Sequence, residues 1–403
     1  MRVVSKPHQL LFASLMLSLS AGGVRAAQTA SLVEGNTAFA LDLYGRLQDQ
    51  PGNLFFSPYS ISTCLAMTYA GARRNTEQQM AEVLHFSRKQ DQVHPAFREL
   101  RSRLHQAATR TGIELNIANA LWAQKGHPFL PGFLGVTTDQ YEAQIKQADF
   151  KTEADSVARE INQWVAAKTK DKIQNILRPE SLDDLTTLVL ANAIYFKGTW
   201  LKTFDKKATY PQPFHLSRDR EVNAPLMSRT DKVQYFDDDA LQAVELPYAG
   251  KELAMLILLP REIEGCRQLE NSINSRSLSG WLARMKTKEV DLLIPKFKAE
   301  SSFNLGPTLA AMGMRDAFTS DADFSGMDGS RDLFVSLVAH KAWVEVSEEG
   351  TEAAAATAVV MTRGIHEAPP RLTFRADHPF VFLIRHVPSG SILFLGRLAD
   401  PKQ

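Results

Sequence analysis

One stretch limits the folds open to this chain more than any other: Ser347-Glu348-Glu349-Gly350-Thr351-Glu352-Ala353-Ala354-Ala355-Ala356-Thr357-Ala358-Val359-Val360. Alanine is the strongest helix former, so propensity alone makes residues 352–358 a short exposed helix or an Ala-rich linker. Read at a period of two, the same residues make a strand. Thr351, Ala353, Ala355, Thr357, Val359 and Met361 then share one face, with no charge among them. Gly350, Glu352, Ala354, Ala356, Ala358 and Val360 share the other, where the single charge, Glu352, can stay in water. Small side chains on both faces let a segment pass between two existing strands at little steric cost. Gly350 supplies a hinge conformation closed to other residues. The strand reading is therefore of an exposed loop that later becomes a central strand.

The rest of the chain shows no internal repeat and no Pro/Gly/Ser-rich linker, so its 403 residues read as one continuous unit after the leader. Apolar residues at helical spacing mark helices over residues 33–47, 61–72, 95–108 and 158–177, the second opened by Ser57-Pro58. Short apolar runs of strand type follow at residues 188–196, 253–259, 290–294, 380–384 and 392–395. Helices first and strands later, without regular alternation, give an α+β class rather than a doubly wound sheet. With 44% hydrophobic and 23% charged residues the chain can bury a large core, which excludes disorder and collagen-like repeats. A formal charge of +1 gives no bias toward nucleic acid or a membrane surface.

Arg2 and Lys6 precede an apolar run at residues 10–19, and small residues lead to Val24-Arg25-Ala26-Ala27. These are the three parts of a secretory signal peptide, with cleavage expected after Ala26. The division is then 1–26 signal peptide and 27–403 mature domain. Cleavage removes three basic residues and no acidic one, which leaves a slight acidic excess. A buried N-terminal helix is the alternative. The apolar run is too short to span a bilayer, no later stretch is apolar enough, and no Cys offers a lipid anchor. The expected location is secreted or periplasmic, and the short leader and scarce Asn-x-Ser/Thr sequons suggest a bacterial source.

Cys64 and Cys266 are far apart, and two free, buried thiols are expected; a chain this size needs no disulfide to fold. No G-x-S-x-G elbow, H-E-x-x-H helix, P-loop or dinucleotide fingerprint occurs, and the ten His show no metal spacing. No catalytic residue, cofactor or metal is assigned. A dispersed hydrolytic triad remains a distant alternative, since its members need not be close in the chain.

The flanks of the Ala run carry a resemblance. His340-Lys341-Ala342 and Val344-Glu345-Val346 lead into it, and Phe374-Arg375-Ala376-Asp377-His378-Pro379-Phe380 and Gly396-Arg397 follow. Upstream stand Asn53-Leu54-Phe55-Phe56-Ser57-Pro58-Tyr59-Ser60-Ile61, Ile161-Asn162-Gln163-Trp164-Val165, and Leu190-Ala191-Asn192-Ala193-Ile194-Tyr195-Phe196-Lys197-Gly198-Thr199-Trp200. Leu258-Leu259-Pro260, Pro295-Lys296-Phe297 and Met312-Gly313-Met314 come next, in the same order as in the family. From about residue 32 to the C-terminus the chain resembles the serpins.

That resemblance implies a single domain with three β-sheets, eight or nine helices and an exposed reactive-centre loop at about 348–370. It implies a suicide-substrate inhibitor of serine proteases, some cysteine proteases included. The target attacks the loop, the acylated loop inserts into the main sheet, and the attached protease is trapped. Glu348, Glu349, Gly350, Thr351, Glu352, Ala353, Ala354, Ala355, Ala356, Thr357 and Ala358 match the hinge. Ser57, Ser60, Asn192 and His340 match the polar shutter beneath the sheet centre; helix capping and ordinary core hydrogen bonding are the other reading. Trp200, Lys296 and Glu348 match the breach, where insertion begins, with an expected Lys296–Glu348 ion pair. Non-inhibitory members typically carry bulky, charged or proline residues in the hinge, so its small residues favour inhibition over a serpin-fold binding protein.

The family's usual spacing from Glu348 places the scissile bond at Gly364–Ile365, and counting back from Pro369-Pro370 places it nearer His366. Chemistry favours Arg363–Gly364, because a trypsin-like pocket with a buried carboxylate rewards a long cation. Cleavage after Val360 or Met361 suits an elastase- or subtilisin-like enzyme. The expected partner is a target serine protease in a covalent complex, with the inhibitor a monomer. Arg98, Arg101 and His105 share a helical face near Arg103 and Arg110, and Lys168, Lys170 and Lys172 form a second cluster. Acidic residues interrupt both, so solvated faces are expected and no polyanion partner.

Overall fold

The computed structural model describes residues 9–143, 145–351 and 371–403. In chain order the elements are α1 (Gln9–Leu47), β1 (Leu54–Phe56), α2 (Pro58–Tyr69), α3 (Arg74–Val83), α4 (Gln90–Thr111), β2 (Glu114–Gln124), α5 (Pro131–Tyr141), β3 (Ile145–Ala148) and α6 (Phe150–Lys168). Then come β4 (Leu188–Thr199), β5 (Tyr210–Ser217), β6 (Arg220–Asp237), β7 (Leu241–Pro247), β8 (Leu253–Pro260), α7 (Cys266–Ser272) and α8 (Ser275–Arg284). The chain ends with β9 (Lys286–Pro295), β10 (Phe297–Asn304), α9 (Gly306–Met312), α10 (Ser325–Asp328), β11 (Val335–Val346), β12 (Gly350–Thr351), β13 (Leu372–Arg375), β14 (Phe380–His386) and β15 (Ile392–Leu398).

The strands form a six-stranded sheet in the order β10-β11-β12-β4-β2-β3 and a nine-stranded ladder. The ladder holds two of the three expected sheets. The long strand β6 leaves one of them, where it lies beside β5 and β9, and enters the other beside β7. Ten α-helices occur among the described residues; the tenth is the four-residue α10.

Both faces of the six-stranded sheet are apolar, which explains why β4 reads as a continuous hydrophobic run. Leu188, Leu190, Ile194 and Phe196 enter the main core. Val189, Ala191, Ala193 and Tyr195 enter a second cluster, closed by Ile161 and Val165 of α6. α2 is buried along its whole length. Ser57 caps it as expected, accepting the Ser60 N–H on its side chain.

Two helix expectations need correction. α4 starts at Gln90, ahead of Pro95, so the proline lies within the helix instead of opening it. The helix expected over 158–177 ends at Lys168. Lys170, Asp171 and Asn175 take positive φ angles of 53°, 60° and 51°, and the Ile173 N–H goes to Thr169 Oγ1. Ile173 and Leu177 still reach the second cluster, so the apolar spacing that suggested a longer helix reports burial of a compact turn.

Cys64 and Cys266 are both free and buried, and burial pushes each thiol up to about 12. Native protein is therefore expected to react negligibly with a thiol reagent at pH 8, and both thiols to appear on denaturation without reductant. Absence of both after denaturation would mean a disulfide and contradict the structure.

Candidate functional site

After Val346 the chain turns back on itself. Ser347 N–H donates to the Gly350 carbonyl at 2.7 Å, and Gly350 N–H to the Ser347 carbonyl at 3.2 Å. The two residues of β12 then enter the sheet, antiparallel to both neighbours: Gly350 lies opposite Thr199, and Thr351 opposite Gly198 and Val346. Gly350 has φ +150°, and a Cβ there would sit 2.1 Å from the Gly198 carbonyl oxygen. Neither backbone can yield, so only glycine fits. Below this point no strand separates β4 from β11. They pair directly and in parallel, from Val335 opposite Leu188 to Trp343 opposite Tyr195.

Aromatic rings and ion pairs fix the hinge at the top of the sheet. Trp200 stacks on Tyr248 with ring centroids 4.6 Å apart, and its Nε1–H donates to the Ser347 carbonyl at 3.0 Å. Trp200 and Phe204 N–H groups bond the carbonyls of Glu349 and Glu348. Thr351 is fully buried, with its Oγ1 2.7 Å from Tyr248 Oη. Lys296 Nζ lies 2.9 Å from Glu348, and Lys206 Nζ 2.7 Å from Glu349. Burial alone would raise the Glu348 carboxyl, but Lys296 and a backbone donor outweigh it and hold it below the usual carboxylate range.

A polar row crosses the middle of the sheet. The strand register places Asn119 opposite Asn192, Asn192 opposite His340, and His340 opposite Phe303. All three polar side chains occupy core-facing positions on strands that are otherwise apolar there. His340 Nδ1 meets Asn192 Oδ1, and Asn192 Nδ2 donates to Ser60 Oγ at 2.6 Å and to Asn119 Oδ1. Ser60 Oγ donates to Asn119 at 3.2 Å. Ser57 N–H donates to His340 Nε2 at 3.2 Å, and Ser57 Oγ to the Leu393 carbonyl at 2.6 Å. The partners set the tautomer: Nε2 accepts, so the proton of the neutral ring is on Nδ1. Burial pushes His340 down to about 3.

The structure thus brings Ser57, Ser60, Asn192 and His340 into one network, and Trp200, Lys296 and Glu348 to the sheet top. Sequence reasoning passed over Asn119, Tyr248 and Lys206. Asn119 carried a usable signal, since Asn is poorly suited to the interior of a strand. Hinge residues 352–358, the reactive-bond candidates Arg363, Gly364 and Ile365, and Val360, Met361 and His366 lie outside the described residues. In the basic clusters, Arg101, Arg103, Arg110 and Lys170 pair with Glu142, Glu99, Glu252 and Glu114. Among the described residues no helix is long and apolar enough to cross a membrane, and no group of three His, Cys, Asp or Glu residues is placed to hold a metal ion.

Gly350 and Thr351 thus sit between the ends of two central strands that pair directly with each other over the rest of their length. Residues 34–401 match the family model Serpin (serine protease inhibitor), and the chain belongs to the serpin family. It is 42% identical over 380 residues to the leukocyte elastase inhibitor of Sus scrofa, covering 92% of this chain and 99% of that protein. The Homo sapiens leukocyte elastase inhibitor is 42% identical over 381 residues, with the same coverage. These vertebrate relatives lend no support to a bacterial source. Among solved structures, uncleaved ovalbumin matches with a TM-score of 0.85 and 32% identity, over 92% of this chain and 100% of that one. Serpin48 of the insect Tenebrio molitor matches at 0.83 and 31%, over 92% and 98%.

Two predictions follow from the electrostatics. Unfolded His340 takes a proton near pH 6.5 and folded His340 only near 3, so acid favours the unfolded state throughout that window. His94, pushed down to about 4 by burial and Arg73, adds to the same slope. His340→Gln is expected to lower stability at pH 8 yet flatten the loss between pH 7 and 4.5 by about one proton, read from the first denaturant transition. An unchanged slope would mean the folded ring protonates freely. Lys296→Met removes a partner that is 39% exposed, so the expected cost at pH 7 is about 1 kcal/mol or less. Because Glu348 is held low, that stabilisation is present above the usual carboxylate range and fades as pH falls through it. A cost unchanged at pH 3 would contradict the pairing.

Proposed function

We propose that this chain inhibits proteases as a single-use substrate. The observation that carries this reading is the seating of Gly350 and Thr351 between β4 and β11, directly above strands that pair with each other. The target's nucleophile attacks the carbonyl of the scissile residue. The peptide bond breaks, an ester or thioester to the protease forms, and the protease's own base delivers a proton to the departing amine. The freed hinge then continues down the seam, Ala353, Ala355 and Thr357 taking the face that Thr351 already occupies. The acylated protease is carried along and distorted. The chain supplies no catalytic residue, cofactor or metal, and it acts as a monomer.

For the bond, Arg363–Gly364 and a trypsin-like target follow from the chemistry of arginine. An elastase-type target, cleaving at Gly364–Ile365 or after Val360 or Met361, is favoured by similarity to leukocyte elastase inhibitors over almost the whole chain. We place the protein outside the cytoplasm, exported by residues 1–26. Residues 25–27 of α1 are exposed and Thr29 is buried, so a cut after Ala26 falls on an exposed stretch just ahead of buried positions.

The test mixes the protein with trypsin, a neutrophil-type elastase, chymotrypsin and subtilisin, then reads denaturing gels and the mass of the released C-terminal peptide. A detergent-stable complex is expected. A peptide beginning at Gly364 identifies the Arg363 bond, and Arg363→Ala should then abolish the trypsin complex. Inhibition of trypsin that survives Arg363→Ala overturns that bond. Clean cleavage by every enzyme without any complex would overturn the inhibitor reading in favour of a substrate-like binding protein. Thr357→Arg is expected to turn the inhibitor into a substrate, cleaved at the same bond with at least tenfold less complex.

A further inference from the structure

A cleft of about 500 Å³ lies at the foot of the six-stranded sheet, between the residues that lead into β4, the start of β11 and α9. Pro307, Ala310, Phe318 and Phe334 give it an apolar wall, and Leu185 on its rim is 73% exposed. Among the described residues that line it, Asp183 alone is charged. Asp183 Oδ1 accepts from the Leu185 N–H at 3.1 Å and from Thr186 Oγ1 at 2.9 Å, and among the described residues Asp183 forms no ion pair. Side chains rather than a backbone ladder close the seam at this end. Thr187 Oγ1 donates to the Phe334 carbonyl at 2.6 Å and accepts the Phe334 N–H at 3.2 Å, and the Thr187 N–H donates to Ser336 Oγ at 2.9 Å.

The described part of the hinge ends at Thr351, so the length of chain beyond it decides what can reach this cleft. β12 sets Gly350 opposite Thr199 and Thr351 opposite Gly198. Continued at one residue per pair, a strand entering the seam brings Met361 opposite Leu188 and Arg363 opposite Thr186, which lines the cleft. Alternation puts Arg363 on the same face as Thr351, which is buried toward the core. We propose that this cleft receives the Arg363 side chain of the inserted loop, its stem against Phe318 and Phe334 and its guanidinium on Asp183, an assignment that rests on the insertion reading above. Arginine suits the lining, because its apolar stem covers hydrophobic surface while its planar head stacks on aromatic rings and pairs with a carboxylate. Cuts after Arg363 and after Gly364 both leave Arg363 on the inserting segment, whereas a cut after Met361 leaves it behind. A trypsin-like target holds the same side chain on a buried carboxylate. The cleft offers it a second carboxylate at the far end of the seam, and its occupation offsets the Thr187 bonds that the last residue pairs must break.

The test anneals labelled, C-terminally amidated peptides into the full-length protein and follows their release into excess unlabelled peptide. Three are compared: residues 350–361, which end short of the cleft, residues 350–363, and the latter carrying R363Q. The 350–363 peptide is expected to leave the wild-type protein at least threefold more slowly than its R363Q form. Asp183→Asn should bring those two rates together, and so should Ala310→Phe, which fills the cleft and keeps the carboxylate. The 350–361 peptide should leave all three proteins at one rate. Equal release of the arginine and glutamine peptides from the wild type overturns the site, as does a difference that survives in both variants. A 350–361 peptide released faster from the variants, to the same degree as the 350–363 peptide, would mean that the substitutions loosen the sheet itself, and it overturns the assignment to Asp183. If none of the peptides anneals, the insertion reading and the site fall together; if all anneal and Arg363 makes no difference, the site alone falls.

Discussion

The parallel pairing of β4 with β11 is the joint on which the rest of the molecule depends. These two strands are hydrogen-bonded to each other only because nothing yet lies between them. Parallel ladders are slightly less stable per residue than antiparallel ones. An inserted strand would replace one parallel ladder with two antiparallel ones, as β12 already does at the top. On the proposed mechanism the fold holds an arrangement that insertion improves, kept by a barrier rather than a minimum. In this account the hinge composition, the glycine turn and the polar row all serve that single feature.

On the same proposal, the polar row supplies that barrier. Asn119, Asn192 and His340 lie side by side on three strands and share their hydrogen bonds with Ser57 and Ser60 of the buried helix below. Parting β4 from β11 separates Asn192 from His340, and buried polar groups tolerate the loss of partners poorly. The same residues read as helix caps and core hydrogen bonds, and they are both: Ser57 caps α2 while tying it to His340 and to β15. One network therefore couples the helix beneath, the sheet above and the strands behind. The top of the sheet is held differently, by a stacked Trp200–Tyr248 pair and by ion pairs near solvent, which is the cheaper place for opening to start.

Much of this was legible in the chain. The period-two pattern at residues 351–361 marked a segment able to become a strand, and Thr351 is buried on the side that pattern assigned to the interior. The Ser57-Pro58 start of α2 is a local signal and holds locally. Legibility failed where local pattern and tertiary context part. Ile173 and Leu177 continue a helical spacing, yet left-handed residues break the helix before them and packing alone keeps them buried. Asn119 and Tyr248 became site residues through register and stacking across strands distant in sequence, which no window along the chain displays. The fusion of two sheets through β6 is likewise a matter of hydrogen-bond continuity rather than of composition.

The central claim is that the seam between β4 and β11 accepts the loop. It is tested most directly by the heat stability of the protein before and after its loop is cut by a protease that it does not trap. Insertion would add about ten backbone hydrogen bonds at ~1 kcal/mol each. At roughly 2 °C per kcal/mol the account expects the cleaved protein to melt on the order of 20 °C higher than the intact one. A cleaved protein that melts at the same temperature as the intact chain would show that the loop stays out of the sheet, and would contradict the account at its root.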